Sequence, residues 1–504
     1  MALFFIGILM LAAGYFTYGR FVERIIGPDD RPTPALSRRD GVDYLPLPHW
    51  KNMLIQLLNI AGVGPVIGVI IGIKFGEIVF LIIPVGNLVA GATHDFLSGM
   101  MSIRRGGANL PTLVRDNLGR GYYAFFSAFA VFLLLLVVAV FINIPADLID
   151  KVFPQASLFW PAVCAIFAYY VLATLFPVDK IIGRIYPVFG ATLIVGTLAV
   201  FVSIVWSLFS DPNLLSEGEA FRERMWTSEN GHPIVPLLFV TIACGIISGF
   251  HATQSPIIAR TMRTERQARS SFYGMMVVEG VIAMIWAAGG LAIYNLLPEM
   301  MSAKATDALI AITSHFLGSW MGTVTVAGVV ILAVTSGDTA MRSLRLSLAE
   351  IFGIGQTRMS MRVLTCLPLI AAVVGLLAWS NASAKSFGQL WNYFAWGNQV
   401  LAASTLSAAA VWLFRSGKNG FVALVPGVFM TFIVASYILW ISPAHGGPVG
   451  FGLGLEVSYA IAAAVCAASV WFVFARSKKM SGISDDDLNA VCRAVSEGGA
   501  PTRE

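Results

Sequence analysis

Asn59-Ile60-Ala61-Gly62-Val63-Gly64-Pro65 and Gly245-Ile246-Ile247-Ser248-Gly249-Phe250-His251-Ala252-Thr253-Gln254-Ser255-Pro256 each interrupt a hydrophobic segment with helix-breaking residues, and they sit in matching places in the two halves of the chain. In hydrocarbon every backbone amide needs a partner, so a span broken by Gly and Pro persists only where the freed groups line a polar cavity. Paired broken helices, one in each half, are the sequence pointer to the binding site of a secondary transporter. The plainer reading, close-packing glycines, suits either stretch taken alone.

Composition fixes the class. Of 504 residues 57% are hydrophobic and 12% charged, with a mean hydropathy of +0.77, against roughly 25% charged residues in an ordinary soluble domain. The chain reads as an all-α polytopic membrane protein whose first partner is the lipid bilayer. Cys164, Cys244, Cys366, Cys466 and Cys492 are scattered without CxxC or framework spacing, as buried thiols are. The net charge of +5 is divided among loops, and nothing points to nucleic acid.

Apolar stretches of about 20 residues give roughly thirteen transmembrane helices, near 2 to 20, 52 to 74, 77 to 101, 122 to 145, 157 to 176, 183 to 209, 234 to 262, 271 to 297, 319 to 338, 361 to 380, 388 to 414, 420 to 441 and 450 to 476. Cytoplasmic loops carry the Lys/Arg excess, and every second loop is basic: Arg20 to Arg39, Arg104 to Arg120, Arg260 to Arg269, Arg342 to Arg362, Arg415 with Lys418, and Arg476 to Lys479. This alternation predicts an outside amino terminus and a cytoplasmic carboxyl terminus. A signal peptide is disfavoured for the first span, since no basic residue precedes it and a small-x-small cleavage pattern is missing.

The organisation expected is an extra helix over 1–26, a cytoplasmic Pro-rich loop over 27–50, a first five-helix repeat over 51–209, an acidic extracytoplasmic loop over 210–233, a second repeat over 234–415, two further helices over 416–480 and a polar tail over 481–504. Residues 300 to 318 read as a short amphipathic helix at the outer surface. The two units have opposite topology and each opens with its broken helix, as in an inverted repeat.

The runs NIAGVGPVIG (59–68), GATHDFLSGMMSIRRGG (91–107), ACGIISGFHATQSP (243–256), TSGDTA (335–340) and LWNYFAWGNQVLAA (390–403) resemble, in order, signatures of the carbon starvation protein A (CstA) family. The resemblance covers roughly residues 50 to 415. It implies an inner-membrane protein used under nutrient limitation, uptake of peptides or pyruvate, and the leucine-transporter-like 5+5 fold of the amino acid-polyamine-organocation superfamily. The chain is shorter than typical long members, and PHWKNMLIQLLN (48–59) stands where these usually carry a His-rich stretch.

Half-helix amino termini expose N–H groups that suit a carboxylate. Gly62, Gly64, Pro65 and Gly249 therefore mark candidate substrate contacts, with Asn59, Ser248, Thr253, Gln254 and Ser255 offering side-chain hydrogen bonds. His251, a histidine inside a span, reads either as a functional group able to carry a proton or as a neutral imidazole bonded to a freed carbonyl of its own broken helix. Glu279 lies well inside an apolar span, where a carboxylate must be protonated, paired or ion-bound; it is the leading proton-coupling candidate, its alternative being a neutral acid bridging two helices. Asp95, after His94, is a candidate inner gate, or simply a partner for Arg104 or Arg105.

The fold resemblance implies a sodium site at Thr335 and Ser336, with Asp338 beside it and carbonyls from the first break opposite. The plainer alternative has the hydroxyls bonding their own helix and Asp338 paired with Arg342. Asn398 and Gln399 are cavity candidates and Trp396 a candidate outer lid, unless these amides only join helices. No Walker motif, HExxH or GxSxG is present, so no enzyme activity is expected, and energy is assigned to a proton or sodium gradient with no other cofactor. The function expected is an ion-coupled importer of a small carboxylate-bearing nutrient; a sensor on a transporter fold is the alternative, and oligomeric state is left open.

Overall fold

The computed structural model describes residues 1–41, 43–175, 178–218, 221, 232–356, 358–445, 447–487 and 489, and no strand occurs among them. Much of the loop expected over 210–233, the tail from 490 on, and Cys492 lie outside the described residues.

Sixteen helical segments suffice to place the site. They are α1 (Ala2–Ile26), α2 (His49–Ile60), α3 (Gly64–Phe75), α4 (Val79–Arg104), α5 (Leu110–Leu118), α6 (Arg120–Val152), α7 (Phe159–Leu175), α8 (Val178–Ser207), α9 (234–246), α10 (Gly249–Ala259), α11 (Glu265–Leu296), α12 (Ala305–Ile351), α13 (Met359–Ser380), α14 (Ala384–Arg415), α15 (Phe421–Trp440) and α16 (Leu455–Lys479). Among the described residues eight helices are long and apolar enough to cross a membrane, or nine if the bent pair α2–α3 is one span. The other four expected spans coincide with the 17-residue α7, with α8, with the α9–α10 pair and with the 32-residue α14. The amphipathic segment expected near 300–318 forms the leading arm of α12, which turns at Gly318 (φ 72°).

Both breaks are where the Gly and Pro residues put them. At the first, Ala61 (φ −72°, ψ 61°) ends α2, and α3 restarts with Pro65, whose missing N–H is harmless in a first turn; the two arms meet at 54°. At the second, Ile247 (φ −163°, ψ 136°) and Ser248 (φ −134°, ψ 126°) are extended, and α10 begins at Gly249.

The glycines also let the two broken helices touch. Gly64, Gly68 and Gly72 recur every fourth residue along one face of α3, and a methyl group on them would meet Cys244, the Thr241 carbonyl (3.0 Å) and Ile242 respectively. Gly245 returns the contact, its Cβ position lying 3.0 Å from Val69. Close packing and helix breaking, read from the sequence as alternatives, are both present. Small residues at this spacing let helix backbones approach closely in a membrane.

The basic loops converge on one face. Arg104 donates to Glu265 (3.0 Å) and to the Gly27 carbonyl (2.7 Å), Arg105 pairs with Asp116 (2.5 Å), and Arg260 donates to the Gly107 carbonyl (2.8 Å). The tail reaches the same face, where Asp485 accepts from Arg415 (2.5 Å) and Trp412 (3.0 Å). The Pro-rich loop is pinned there too: Thr33 donates to the Met262 carbonyl (2.6 Å) and Leu47 N–H to the Thr261 carbonyl (3.0 Å). In that loop the bonded Arg31 guanidinium holds the Asp29 carboxyl down to about 2, so the pair stays charged at neutral pH. Of the cysteines, Cys366 and Cys466 are buried as expected, but Cys164 faces outward from the bundle, where the chain expects lipid rather than core.

Overfilling the glycine face tests this packing. Gly68→Val is expected to destabilise the protein by about 1–3 kcal/mol and to lower its thermal unfolding midpoint in detergent. Gly121→Ala, with nothing within 4 Å of its Cβ position, should leave the midpoint unchanged.

Candidate functional site

Four buried ionisable side chains meet where the two breaks face α4 and α11. His251, in the first turn of α10, places Nδ1 3.1 Å from Asp95 Oδ2 of α4 and Nε2 3.8 Å from Glu279 Oε2 of α11. His94 Nδ1 lies 2.8 Å from the other Asp95 oxygen. The His251 ring also lies beside the backbone of Ile60, the last residue of α2, so one imidazole borders both broken helices. Among the described residues the ring meets no carbonyl of its own broken helix; it joins two carboxyl groups from other helices. Asp95 does not pair with Arg104 or Arg105, which are held by Glu265 and Asp116; it lies buried at the centre, against the inner-gate expectation, because its side chain faces α10 rather than the basic face.

Several polar atoms on α2, α4, α10 and α11 are buried without a hydrogen-bond partner among the described residues. They include both Glu279 oxygens, all four side-chain polar atoms of Gln56 and Asn59, Gln254 Oε1 and His94 Nε2. A buried polar atom left unpaired costs about 1–3 kcal/mol, so such a concentration marks a place kept polar for a ligand, an ion or water.

The second half-helix start is not open as expected. Asn398 Oδ1 of α14 accepts from the Ser248 hydroxyl (3.2 Å) and the Phe250 N–H (3.1 Å), occupying the acceptor position foreseen for a substrate carboxylate. Gly249 makes room, since a side chain there would run into the Asn398 carbonyl. Ser255 shares a hydrogen bond with Ser98 of α4 (2.8 Å), Thr253 donates to the Phe250 carbonyl (2.6 Å), and Gln254 donates to Ser343 (3.2 Å). Gln399 donates to the Phe239 carbonyl and so ties α14 to α9. Trp396 does not cover the breaks. Its Nε1 donates to the Val434 carbonyl of α15 (2.9 Å) and its ring packs edge-on against Phe129, on the side of α14 turned from the cavity.

Ser336 of α12 donates to the Leu58 carbonyl (3.1 Å), and a Cβ at Gly62 would lie 3.3 Å from its oxygen, so this hydroxyl does abut the first break. Thr335 donates to the Leu332 carbonyl of its own helix (2.9 Å). Asp338 points elsewhere, accepting from Tyr169 of α7 (2.8 Å). Among the described residues no group of three or more His, Cys, Asp or Glu is placed to hold a metal ion.

The sequence profile described as carbon starvation protein CstA matches residues 1–227, 161–327 and 299–436. The chain belongs to the CstA family. Over 343 residues it is 42% identical to an uncharacterized membrane protein of Haemophilus influenzae, covering 58% of this chain and 92% of that one. It is 23% identical over 552 residues to the peptide transporter CstA of Escherichia coli, covering 82% of this chain and 77% of that one. It is 25% identical over 315 residues to the pyruvate/proton symporter BtsT of the same organism, 51% of this chain and 43% of that one. Among solved structures, the manganese transporter of Eremococcus coleocola superposes with a TM-score of 0.56 at 15% identity, over 88% of this chain and all of that one (100%). This CstA-family chain thus shares a transporter fold and is a multi-pass membrane protein.

Asn87 and Phe141 are among the site residues that escaped the sequence reading. Asn87 of α4 donates to the Gly245 carbonyl (3.3 Å) freed at the second break and to the Met276 carbonyl (2.9 Å); a lone amide in an apolar run was its signal. Phe141 of α6 packs edge-on against Phe250 and Phe394 at 5.9 Å each and meets Gly62; as one apolar residue among many it gave none.

Asn398→Ala should leave the Ser248 hydroxyl and Phe250 N–H unpaired, costing about 1–3 kcal/mol of stability, whereas Asn398→Gln, which keeps an uncharged amide acceptor, should cost less. Thermal unfolding of both variants in detergent would show the difference.

Proposed function

We propose that the chain is an ion-coupled symporter importing a small carboxylate-bearing nutrient, peptide- or pyruvate-like, during carbon starvation. It does so on a leucine-transporter-like 5+5 inverted repeat within about thirteen spans, in the inner membrane, with its amino terminus outside. The observation that carries this is the bridge made by His251: one imidazole on the second broken helix bonds Asp95 of α4 and faces Glu279 of α11. A proton added to or lost from this group changes the charge between the helices whose separation alternating access would alter. The names of two relatives, a peptide transporter and a pyruvate/proton symporter, support the substrate class and the proton.

In this reading His251 and Glu279 exchange the coupling proton, Asp95 fixes the imidazole with His94, and Asn398 yields the α10 amino terminus to the substrate carboxylate. Asn59, with both polar atoms unpaired, supplies a further substrate contact. Sodium is the second reading, favoured by the Ser336 hydroxyl beside the Leu58 carbonyl at the first break; Thr335 would add a hydroxyl lone pair and Asp338 only distant charge. A sensor without net transport would keep the same site but accumulate nothing.

Purified protein in proteoliposomes decides among these, given labelled pyruvate or a labelled dipeptide under an imposed proton or sodium gradient. Accumulation under the proton gradient is expected. Glu279→Gln should reduce it at least tenfold while leaving solute counterflow intact. Undiminished proton-driven accumulation by that variant would remove Glu279 from coupling, and sodium-driven accumulation would move the ion site to Ser336.

A further inference from the structure

A second cavity, separate from the group around His251, opens at the face remote from the basic loops, among α3, α6, α13 and α14. It encloses about 550 Å³, inside the roughly 300–1,000 Å³ range of small-molecule sites. Amides line part of its wall. Asn381 donates to Asn143 Oδ1 (2.7 Å) and Asn143 donates to the Ser380 hydroxyl (3.0 Å), with Asn392 also in the wall. Phe159, Phe387 and Trp391 supply aromatic surface.

Charges of both signs stand at the same cavity. Lys151 pairs with Asp147 (3.2 Å) and with Asp307 (2.6 Å), so two carboxylates share one ammonium and the group keeps a net negative charge. Lys304 lines the cavity with Asp147. Beneath lies the aromatic plug: Phe141 against Phe250 and Phe394, with Trp391 on Phe394 at 5.4 Å. The Phe141 ring sits 2.9 Å from the Cβ position of Gly62, so the plug rests directly on the first break.

We propose that this cavity is an outer waiting site for a short zwitterionic peptide, which it holds before the solute passes the Phe141–Phe250–Phe394 plug. The chemistry of each part has a use. A peptide bond offers one donor and one acceptor, which a row of amides can answer in either orientation. The free ammonium is drawn to Asp147, the carboxylate to Lys304, and apolar side chains lie on the aromatic wall. Pyruvate has neither ammonium nor peptide N–H and gains nothing from Asp147. The inference rests on the importer reading and narrows its substrate class to peptides.

Titration calorimetry of dialanine and of pyruvate with the purified full-length protein tests it, on the wild type and on Asp147→Asn, Trp391→Ala and Trp391→Phe. Dialanine affinity should fall about tenfold in Asp147→Asn and in Trp391→Ala and return largely in Trp391→Phe, while pyruvate heats stay the same across the series. Unchanged dialanine affinity in both variants, equal losses for pyruvate, or no dialanine binding to the wild type would each overturn the waiting site. Proteoliposome uptake separates the two readings. Accumulation of dialanine that is insensitive to both variants overturns the waiting site alone, whereas Asp147-dependent binding with no accumulation under either gradient upholds the site and overturns the importer.

Discussion

A backbone group released in hydrocarbon has to find a partner inside the protein, and the two breaks release several at once. The structure answers with side chains from helices far away in sequence. Asn87 takes the Gly245 carbonyl, Asn398 takes the Ser248 hydroxyl and Phe250 N–H, and Ser336 takes the Leu58 carbonyl. These bonds fix α4, α12 and α14 around the broken pair. Once polar side chains are drawn to the middle of the bundle, ionisable ones cost less there, and the Asp95–His251–Glu279 group follows.

The breaks were legible in the sequence because Gly, Pro and Ser interrupt apolar runs in a way few other causes produce. The burial of Glu279 was legible for the same reason, as one charge in an apolar stretch. Its neighbours were not. Asp95 and His251 are 156 positions apart, and no periodicity reports which of the charges in 91–107 turns inward and which joins the basic face. Adjacency misled as well: Arg104 and Arg105, near Asp95 in sequence, belong to partners on other segments, and Asp338, next to the hydroxyls expected to hold sodium, faces α7.

Trp396 and Asn398 show how much two positions on a helix decide. Separated by one residue, they point to different sides of α14, the indole to α15 and the amide to α10. The run from 390 to 403 reads as uniformly aromatic and amide-rich, yet only one of its faces borders the breaks. Composition locates such a segment, and helical rotation, set by packing, selects the residues that matter.

The glycine face of α3 bears on motion as well as on contact. Helices that meet through interdigitated side chains must lift over one another or reset rotamers before they can shift. Where Gly64, Gly68 and Gly72 lie against α9, the Cys244 side chain, the Thr241 carbonyl and the Ile242 side chain sit in the notches they leave. Sliding would have to lift Cys244 and Ile242 out of those notches, so the two discontinuous helices are keyed together and change height as one body.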